Sequence, residues 1–163
     1  MAHDHVHSDC AHAQDQAARA PAALAAAEAY CARRGERLTP LRRTVLEALY
    51  ASHRPVSAYD LIERIAANGQ KPPAPITIYR TLDFLRAQGF IHRLESLNAF
   101  IACPSMHHPG ETVVFMICEN CGGVVEAGSG EVSDGLNAIA VRQGFAAARS
   151  VIEMTGRCSH CRT

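Results

Sequence analysis

The sequence has no tryptophan, and aromatic residues make up 6% of it, so a modest aliphatic core can form but a large one cannot. No apolar run is long enough to span a bilayer, and residues 1–12 lack the apolar region of a secretory signal. The cysteines number seven, which is odd, and four of them form two close pairs, unlike a secreted disulfide scaffold. We therefore expect a reduced, cytoplasmic protein without a membrane partner.

The formal net charge is zero, but the charges are unevenly distributed. Residues 33–95 contain 11 Lys/Arg and 6 Asp/Glu, whereas the segments on either side are both net acidic. A basic segment of this kind is typical of a surface that faces a polyanion. An ordinary solvated helical surface can give the same small excess, so charge alone does not decide between them.

Two Cys-x-x-Cys pairs bracket the last third of the chain: Cys118 with Cys121, and Cys158 with Cys161. Four thiolates at this spacing suit a tetrahedral zinc site. The alternative is two redox dithiols, but a redox pair normally begins a helix, and the second pair here has no helix after it. The spacing favours a closed structural site, and closed sites do not catalyse.

Hydrophobic spacing and capping residues predict four helices in the first two thirds of the chain. They are expected at residues 21–34, 40–52 after an N-cap at Thr39, from Ser57 after a capping box, and 75–88. The last of these would expose a polar face suited to a major groove. That face consists of Thr77, Tyr79, Arg80, Asp83 and Arg86.

Two short strands, 90–94 and 99–103, are predicted around a turn at 96–98, which completes a winged helix-turn-helix. Strands are also expected at 112–117, 124–127 and 146–154, with a helix near 131–143. The predicted fold is α+β: a winged-helix domain, then a small α/β dimerisation domain with the four-cysteine zinc site. The expected divisions are a histidine-containing disordered tail (1–20), a DNA-binding domain (21–103), a hinge (104–111) and a dimerisation and zinc-binding domain (112–163).

A second set of metal ligands is expected on the hairpin. If its turn is symmetric and even, cross-strand partners sum to 195, which places His92 opposite Cys103 on one face. An odd loop would break this pairing. Either residue alone is more often a buried thiol or a surface imidazole, but together, beside a hinge that contains histidines, they favour a shared metal.

Several motifs occur in order: RLTPLR at 37–42, SAYDL at 57–61, TIYRTLDFL at 77–85, GFIHR at 89–93 and FMICENCG at 115–122. With the terminal Cys-x-x-Cys they resemble the ferric uptake regulator family, and most of all its zinc uptake regulators. The resemblance covers about residues 22–161. It implies a dimeric, metal-dependent transcription repressor.

The resemblance implies that Cys118, Cys121, Cys158 and Cys161 hold structural zinc. It also implies a regulatory zinc site containing His92, Cys103 and Glu126. The fourth ligand is Glu111 by spacing, with His108 or His107 as the alternative. The apolar run at 113–117 stands where iron-sensing members carry histidines, and a cysteine ligand with few oxygens favours zinc over iron or manganese.

By the same resemblance, Tyr59 and Arg80 read bases, and Arg42, Thr77 and Tyr79 hold phosphates. The expected function is repression of zinc-uptake genes by binding palindromic operator DNA when regulatory zinc is present. A sensor of iron, manganese or peroxide is the alternative within the family. A zinc enzyme would need an open site and a general base, and a zinc carrier would not need a basic helix-turn-helix, so we expect neither catalysis nor a small-molecule substrate.

Overall fold

A computed structural model describes residues 11–103, 112–128, 130–147 and 150–162. The chain divides into two compact units between Met106 and His107. The mixed α+β fold has five helices and five strands over the described residues. In chain order these are α1 (Ala11–Arg33), α2 (Pro40–Tyr50), α3 (Ala58–Ala67), α4 (Pro75–Ala87), β1 (Ile91–Leu94), β2 (Ala99–Ala102), β3 (Val113–Cys118), β4 (Val124–Gly128), α5 (Gly130–Arg142) and β5 (Val151–Gly156).

The predicted helix starts of α2 and α3 are confirmed. Thr39 caps α2: its side chain accepts a hydrogen bond from the Arg42 main-chain N–H, and a proline follows at the first helical position. Ser57 and Asp60 form a complete capping box at the start of α3. These caps satisfy N–H groups that the helices themselves leave without partners.

Helix α1 begins at Ala11, ten residues before the predicted start, and contains Pro21 in its interior. Residues 11–20 are therefore helical rather than part of the predicted tail, while residues 1–10 lie outside the described residues. Gln16 Nε2 donates to the Leu49 carbonyl of α2, and Ala23 and Ala27 pack into the core. Although α1 has 23 residues, no helix in the described part of the chain is long and apolar enough to cross a membrane.

The core of the first unit lies among α1–α4 and the hairpin. Helix α4 buries its apolar face through Ile78, Leu82 and Leu85, as its spacing predicts. The helix ends before Gly89, whose φ of 76° is the left-handed conformation that glycine adopts most readily. The opposite face of α4 therefore remains available to solvent.

The hairpin β1–β2 differs from the predicted register. Its loop is residues 95–98, not 96–98, and His92 pairs with Ile101 rather than with Cys103. Cys103 instead donates its main-chain N–H to the Phe90 carbonyl, one step beyond the strands. Paired residues sum to 193, a shift of two from the prediction, and an even shift keeps every side chain on its predicted face. His92 and Cys103 therefore share a face as diagonal neighbours.

The second unit is a three-stranded sheet in the order β4–β3–β5, with α5 between β4 and β5 in sequence. Strand β4 runs antiparallel to β3, and β5 runs parallel to it. The parallel pairing requires a crossover, which α5 supplies. Strand β5 begins at Val151, later than the predicted position 146. The two Cys-x-x-Cys turns, which we call the knuckles, follow β3 and β5 at the same end of the sheet.

Candidate zinc centres and nucleic-acid interface

The four knuckle cysteines of the second unit converge on one point. Their sulfurs all lie within 4.8 Å of one another, and Cys121 Sγ is 4.0 Å from Cys158 Sγ. A tetrahedron of sulfurs about 2.3 Å from zinc has edges of about 3.8 Å. The donor set therefore fits a closed four-coordinate zinc ion, as the spacing predicts.

Main-chain hydrogen bonds bring the two knuckles together. The Gly122 N–H donates to the Cys118 carbonyl at 2.9 Å and closes the first turn, where Gly122 has a φ of 70°. The Cys161 N–H does the same to the Cys158 carbonyl at 2.9 Å. The Glu119 N–H donates to the carbonyl of Gly156 at the end of β5, so the parallel pairing of β3 and β5 places the knuckles side by side.

The environment of the thiols differs between knuckles. Burial raises the pKa of Cys118, but hydrogen bonds to its sulfur, led by the Cys121 and Cys158 main chains, outweigh burial and lower the pKa to about 6. Burial raises the pKa of Cys158, and hydrogen bonds with the Cys161 and Cys118 thiols raise it further. Hydrogen bonding therefore favours the thiolate form of Cys118, whereas the environment of Cys158 favours the protonated thiol, which gives up its proton when a metal binds.

The hairpin pair lies in the first unit. The ligand atoms of His92 and Cys103 are within 4.8 Å of each other. Cys103 is fully buried and His92 is half-buried. The diagonal arrangement thus brings the two side chains close, although the predicted directly opposite pairing was wrong. One imidazole and one thiol at this separation can bind the same zinc ion.

The other predicted regulatory ligands belong to the second unit or lie outside the described residues. Glu126 is half-buried on β4, opposite Phe115 of β3. Glu111, His107 and His108 all fall within residues 104–111, which the structure does not describe. The complete regulatory ligand set therefore stays a prediction.

The outer face of α4 carries the side chains expected to meet DNA. Thr77, Tyr79 and Arg80 are exposed, as predicted, whereas Arg86 is half-buried and forms a 3.4 Å ion pair with Asp83. Tyr59, at the start of α3, is 64% exposed.

Arg42 is held in place by contacts within the first unit. Its guanidinium lies 3.3 Å from the centroid of the Phe84 ring of α4, and Nη1 donates to the Arg37 carbonyl at 2.6 Å. This stacking holds the charge next to α4, so the Arg42 side chain would lose less conformational entropy on binding a phosphate. The planar group still has further N–H donors for such a contact.

A family model described as the ferric uptake regulator family matches residues 33–155, which is most of the chain. The chain belongs to the ferric uptake regulator family. It is also 42% identical over 140 residues to the zinc uptake regulation protein of Escherichia coli (strain K12), covering 85% of this chain and 80% of that protein. The predicted family is therefore confirmed.

Two solved structures are similar to this family member. One is a zinc uptake regulator complexed with zinc and DNA, with a TM-score of 0.81 and 40% identity over 88% of this chain and 95% of that one. The other is holo XcZur, with a TM-score of 0.75 and 41% identity over 85% and 96% of the two chains. The predicted winged-helix α+β fold agrees with both.

Sequence reasoning missed two residues of this family member that the structure places near its candidate sites. Ile76, 61% exposed, lies in the first turn of α4 among the predicted DNA contacts. Tyr50, at the end of α2, donates its hydroxyl to the Cys103 carbonyl at 3.0 Å. The apolar residue at the start of a helix was a local signal that could have revealed Ile76. No local signal could have revealed Tyr50, because its partner Cys103 lies 53 positions away in the sequence.

Proposed function

We propose that this protein is a dimeric, zinc-responsive repressor that binds operator DNA of zinc-uptake genes when its regulatory zinc site is filled. The observation that carries the proposal is the His92–Cys103 pair, because it places two zinc-type ligands on the hairpin of a winged-helix unit. Identity of 42% to a zinc uptake regulation protein supports the same metal and the same class of target.

The exposed face of α4 supports binding to duplex DNA. We propose that Arg80 and Tyr59 contact base edges, since a guanidinium can donate two hydrogen bonds to a guanine. Thr77, Tyr79 and Arg42 would contact phosphates and fix the register of the helix in the groove. Stacking of Arg42 on Phe84 supports this division, because it holds one cation close to α4.

The ligand chemistry supports zinc over iron or manganese. A buried thiol and an imidazole are softer donors than the carboxylates that favour manganese. We propose that His92 and Cys103 act with Glu126 and with Glu111, or with His108 instead of Glu111. Zinc binding then promotes DNA binding only if the DNA-competent state holds the metal more tightly than the other state does.

The sheet of the second unit supports a homodimer. Val125, Met116 and Met154 are cross-strand neighbours on one face, and all three are exposed. An apolar row across a small sheet is typical of a surface that a second copy covers. Two copies of the winged helix would then read the two halves of a palindrome.

We propose the domain limits 21–103 for the DNA-binding domain, 104–111 for the hinge and 112–163 for the dimerisation domain.

Family members are transcription regulators, and we propose that this chain likewise has no catalytic activity. A closed site of four cysteines supports that proposal, because it leaves no coordination position for a substrate. A regulator of chromosomal DNA would work in the cytoplasm.

The decisive experiment measures DNA affinity against buffered free metal. Operator DNA is first selected from a random library with the zinc-loaded protein, and binding is then followed by fluorescence anisotropy in buffered zinc, ferrous iron or manganese. We expect affinity to rise with free zinc at concentrations where iron and manganese have little effect. A response to iron or manganese instead would indicate the alternative sensor, and indifference to all three would exclude a metal-responsive repressor.

The fourth regulatory ligand can be identified in the same assay by comparing Glu111→Ala with His108→Ala. Loss of the true ligand is expected to raise markedly the free zinc needed for half-maximal DNA binding, and loss of the other residue to change it little. Because outer contacts can also weaken metal binding about 10-fold, absorption spectra of the cobalt-substituted variants should be compared as well.

A further inference from the structure

The buried hydroxyl of Tyr50 contacts the main chain of one of the two hairpin ligands. Tyr50 is the last residue of α2 and is 3% exposed. Its hydroxyl donates to the Cys103 main-chain carbonyl at 3.0 Å. Cys103 is itself 0% exposed and carries one of the two hairpin ligands.

Both main-chain groups of Cys103 are hydrogen-bonded within the first unit. Its N–H donates to the Phe90 carbonyl at 2.9 Å, and the Phe90 N–H donates to the Leu85 carbonyl of α4 at 3.0 Å. Its carbonyl accepts the Tyr50 hydroxyl, which belongs to α2. Cys103 is thus connected to α4 on one side and to α2 on the other, through groups that do not involve its thiol.

Cys103 lies beyond the last paired residue of β2, so the sheet ladder does not fix its carbonyl. The chain that follows, 104–111, lies outside the described residues. A ligand at a strand end keeps its side-chain direction only if its main chain is held in place. Groups that orient metal ligands commonly change metal affinity about 10-fold to 100-fold when they are removed.

We propose that Tyr50 is a positioning residue for the regulatory zinc site. Its hydroxyl fixes the Cys103 main chain so that the thiolate is directed toward the metal that His92 also binds. The inference rests on the proposed function, since it assumes that Cys103 is a regulatory ligand. It also gives a route by which metal binding at Cys103 acts on α2 and α4 of the DNA-binding unit.

The test compares Tyr50→Phe with Tyr30→Phe in the full-length, structurally zinc-loaded protein. Phenylalanine keeps the buried ring of Tyr50 and removes only the donor. Tyr30→Phe is the matched control, because its ring packs against the same core cluster as Tyr50 and contacts Phe90 edge-on at 5.7 Å. Regulatory zinc affinity is measured by competition with a fluorescent chelator, and the thiolate-to-metal absorption band is recorded with cobalt in the regulatory site.

Tyr50→Phe is expected to weaken regulatory zinc binding at least about 10-fold and to alter the cobalt band, while DNA affinity at saturating zinc stays within about 2-fold of the parent. Tyr30→Phe should change zinc affinity less than about 2-fold. Incorporating p-aminophenylalanine at position 50, which restores a donor, should recover much of the loss. A residue that only stabilises the fold would lower the unfolding temperature without changing the cobalt band.

The outcomes separate this inference from the proposed function. If Tyr50→Phe binds zinc and cobalt like the parent while Cys103→Ser does not, the positioning role is wrong and the proposed sensor site stands. If Cys103→Ser still responds to zinc like the parent, the sensor assignment fails, and the role of Tyr50 fails with it. If Tyr50→Phe unfolds, p-fluorophenylalanine at position 50 replaces it, because this residue fills the space of the hydroxyl but cannot donate a hydrogen bond. A parent-like zinc affinity and cobalt band in that protein would contradict the proposal.

Discussion

The site formed by the four knuckle cysteines lends itself to a quantitative prediction, because one substitution removes one of four converging sulfurs. Cys161→Ser replaces a half-buried sulfur ligand with a hydroxyl that binds zinc poorly. A structural zinc site contributes about 10–16 kcal/mol of apparent binding free energy to folding. Losing only a third of that, about 3–5 kcal/mol, equals the whole stability that a core of this size usually supplies. We therefore expect the second unit to unfold.

The assay combines metal analysis, circular dichroism and light scattering on purified full-length protein. The variant should lose the tightly held zinc, lose the cooperative unfolding of the sheet and elute as a monomer. The helical signal of the first unit should persist, because its core cluster lies entirely before residue 103. Ser159→Ala is the matched control, since it changes an exposed residue inside the same knuckle and leaves all four sulfurs in place.

One result would refute this reasoning. A Cys161→Ser protein that is folded and dimeric but lacks the metal would mean that the sheet does not depend on zinc. The hydrogen bonds between the knuckles, such as that from the Cys158 N–H to Cys118 Sγ at 3.4 Å, would then suffice to hold the strand ends together. Loss of zinc in the Ser159→Ala control would instead show that the assay reports purification conditions rather than coordination.

The DNA surface, the hairpin and the exposed sheet face lead to three other expected outcomes. Arg80→Ala should weaken binding to the specific DNA site by about 1–3 kcal/mol and relax base preference, whereas Arg42→Ala should weaken binding to all sequences alike and flatten the dependence of affinity on salt. An unchanged base preference in Arg80→Ala would mean that other residues read the bases. Cys103→Ser should give a folded dimer that keeps structural zinc, and a DNA affinity that no longer rises with added zinc when measured by anisotropy. Met116→Lys should give a monomer by light scattering, unlike the control Asn137→Lys on exposed α5, and a dimeric Met116→Lys protein would exclude this sheet face as the interface.

Local signals in the sequence were sufficient to predict those features whose contacts join residues only a few positions apart. The Thr39 and Ser57 caps were predictable because each side chain bonds an N–H three positions later. The same is true of the zinc knuckles, whose two-residue spacing turns both sulfurs toward one point. Exposure of Thr77, Tyr79 and Arg80 followed from helical periodicity, because burial of Ile78, Leu82 and Leu85 determines the outward face.

The hairpin shows how a partly wrong prediction can still place a site. The sequence does not specify which residues close the loop, and Asn98 adopts a left-handed φ of 46° in a four-residue connection. The resulting register differs by two positions from the expected one. Since side chains alternate with a period of two, His92 and Cys103 kept a common face even though they are not opposite each other.

Tertiary packing alone determined the remaining features. Pro21 would ordinarily end or bend a helix, yet α1 continues through it while Ala23 and Ala27 are buried in the core and Gln16 bonds to α2. The stacking of Arg42 on Phe84 and the bond from Tyr50 to Cys103 likewise join residues far apart in sequence. Spacing within one segment encodes a turn, a cap or an exposed face, whereas contacts between distant segments depend on how whole helices pack.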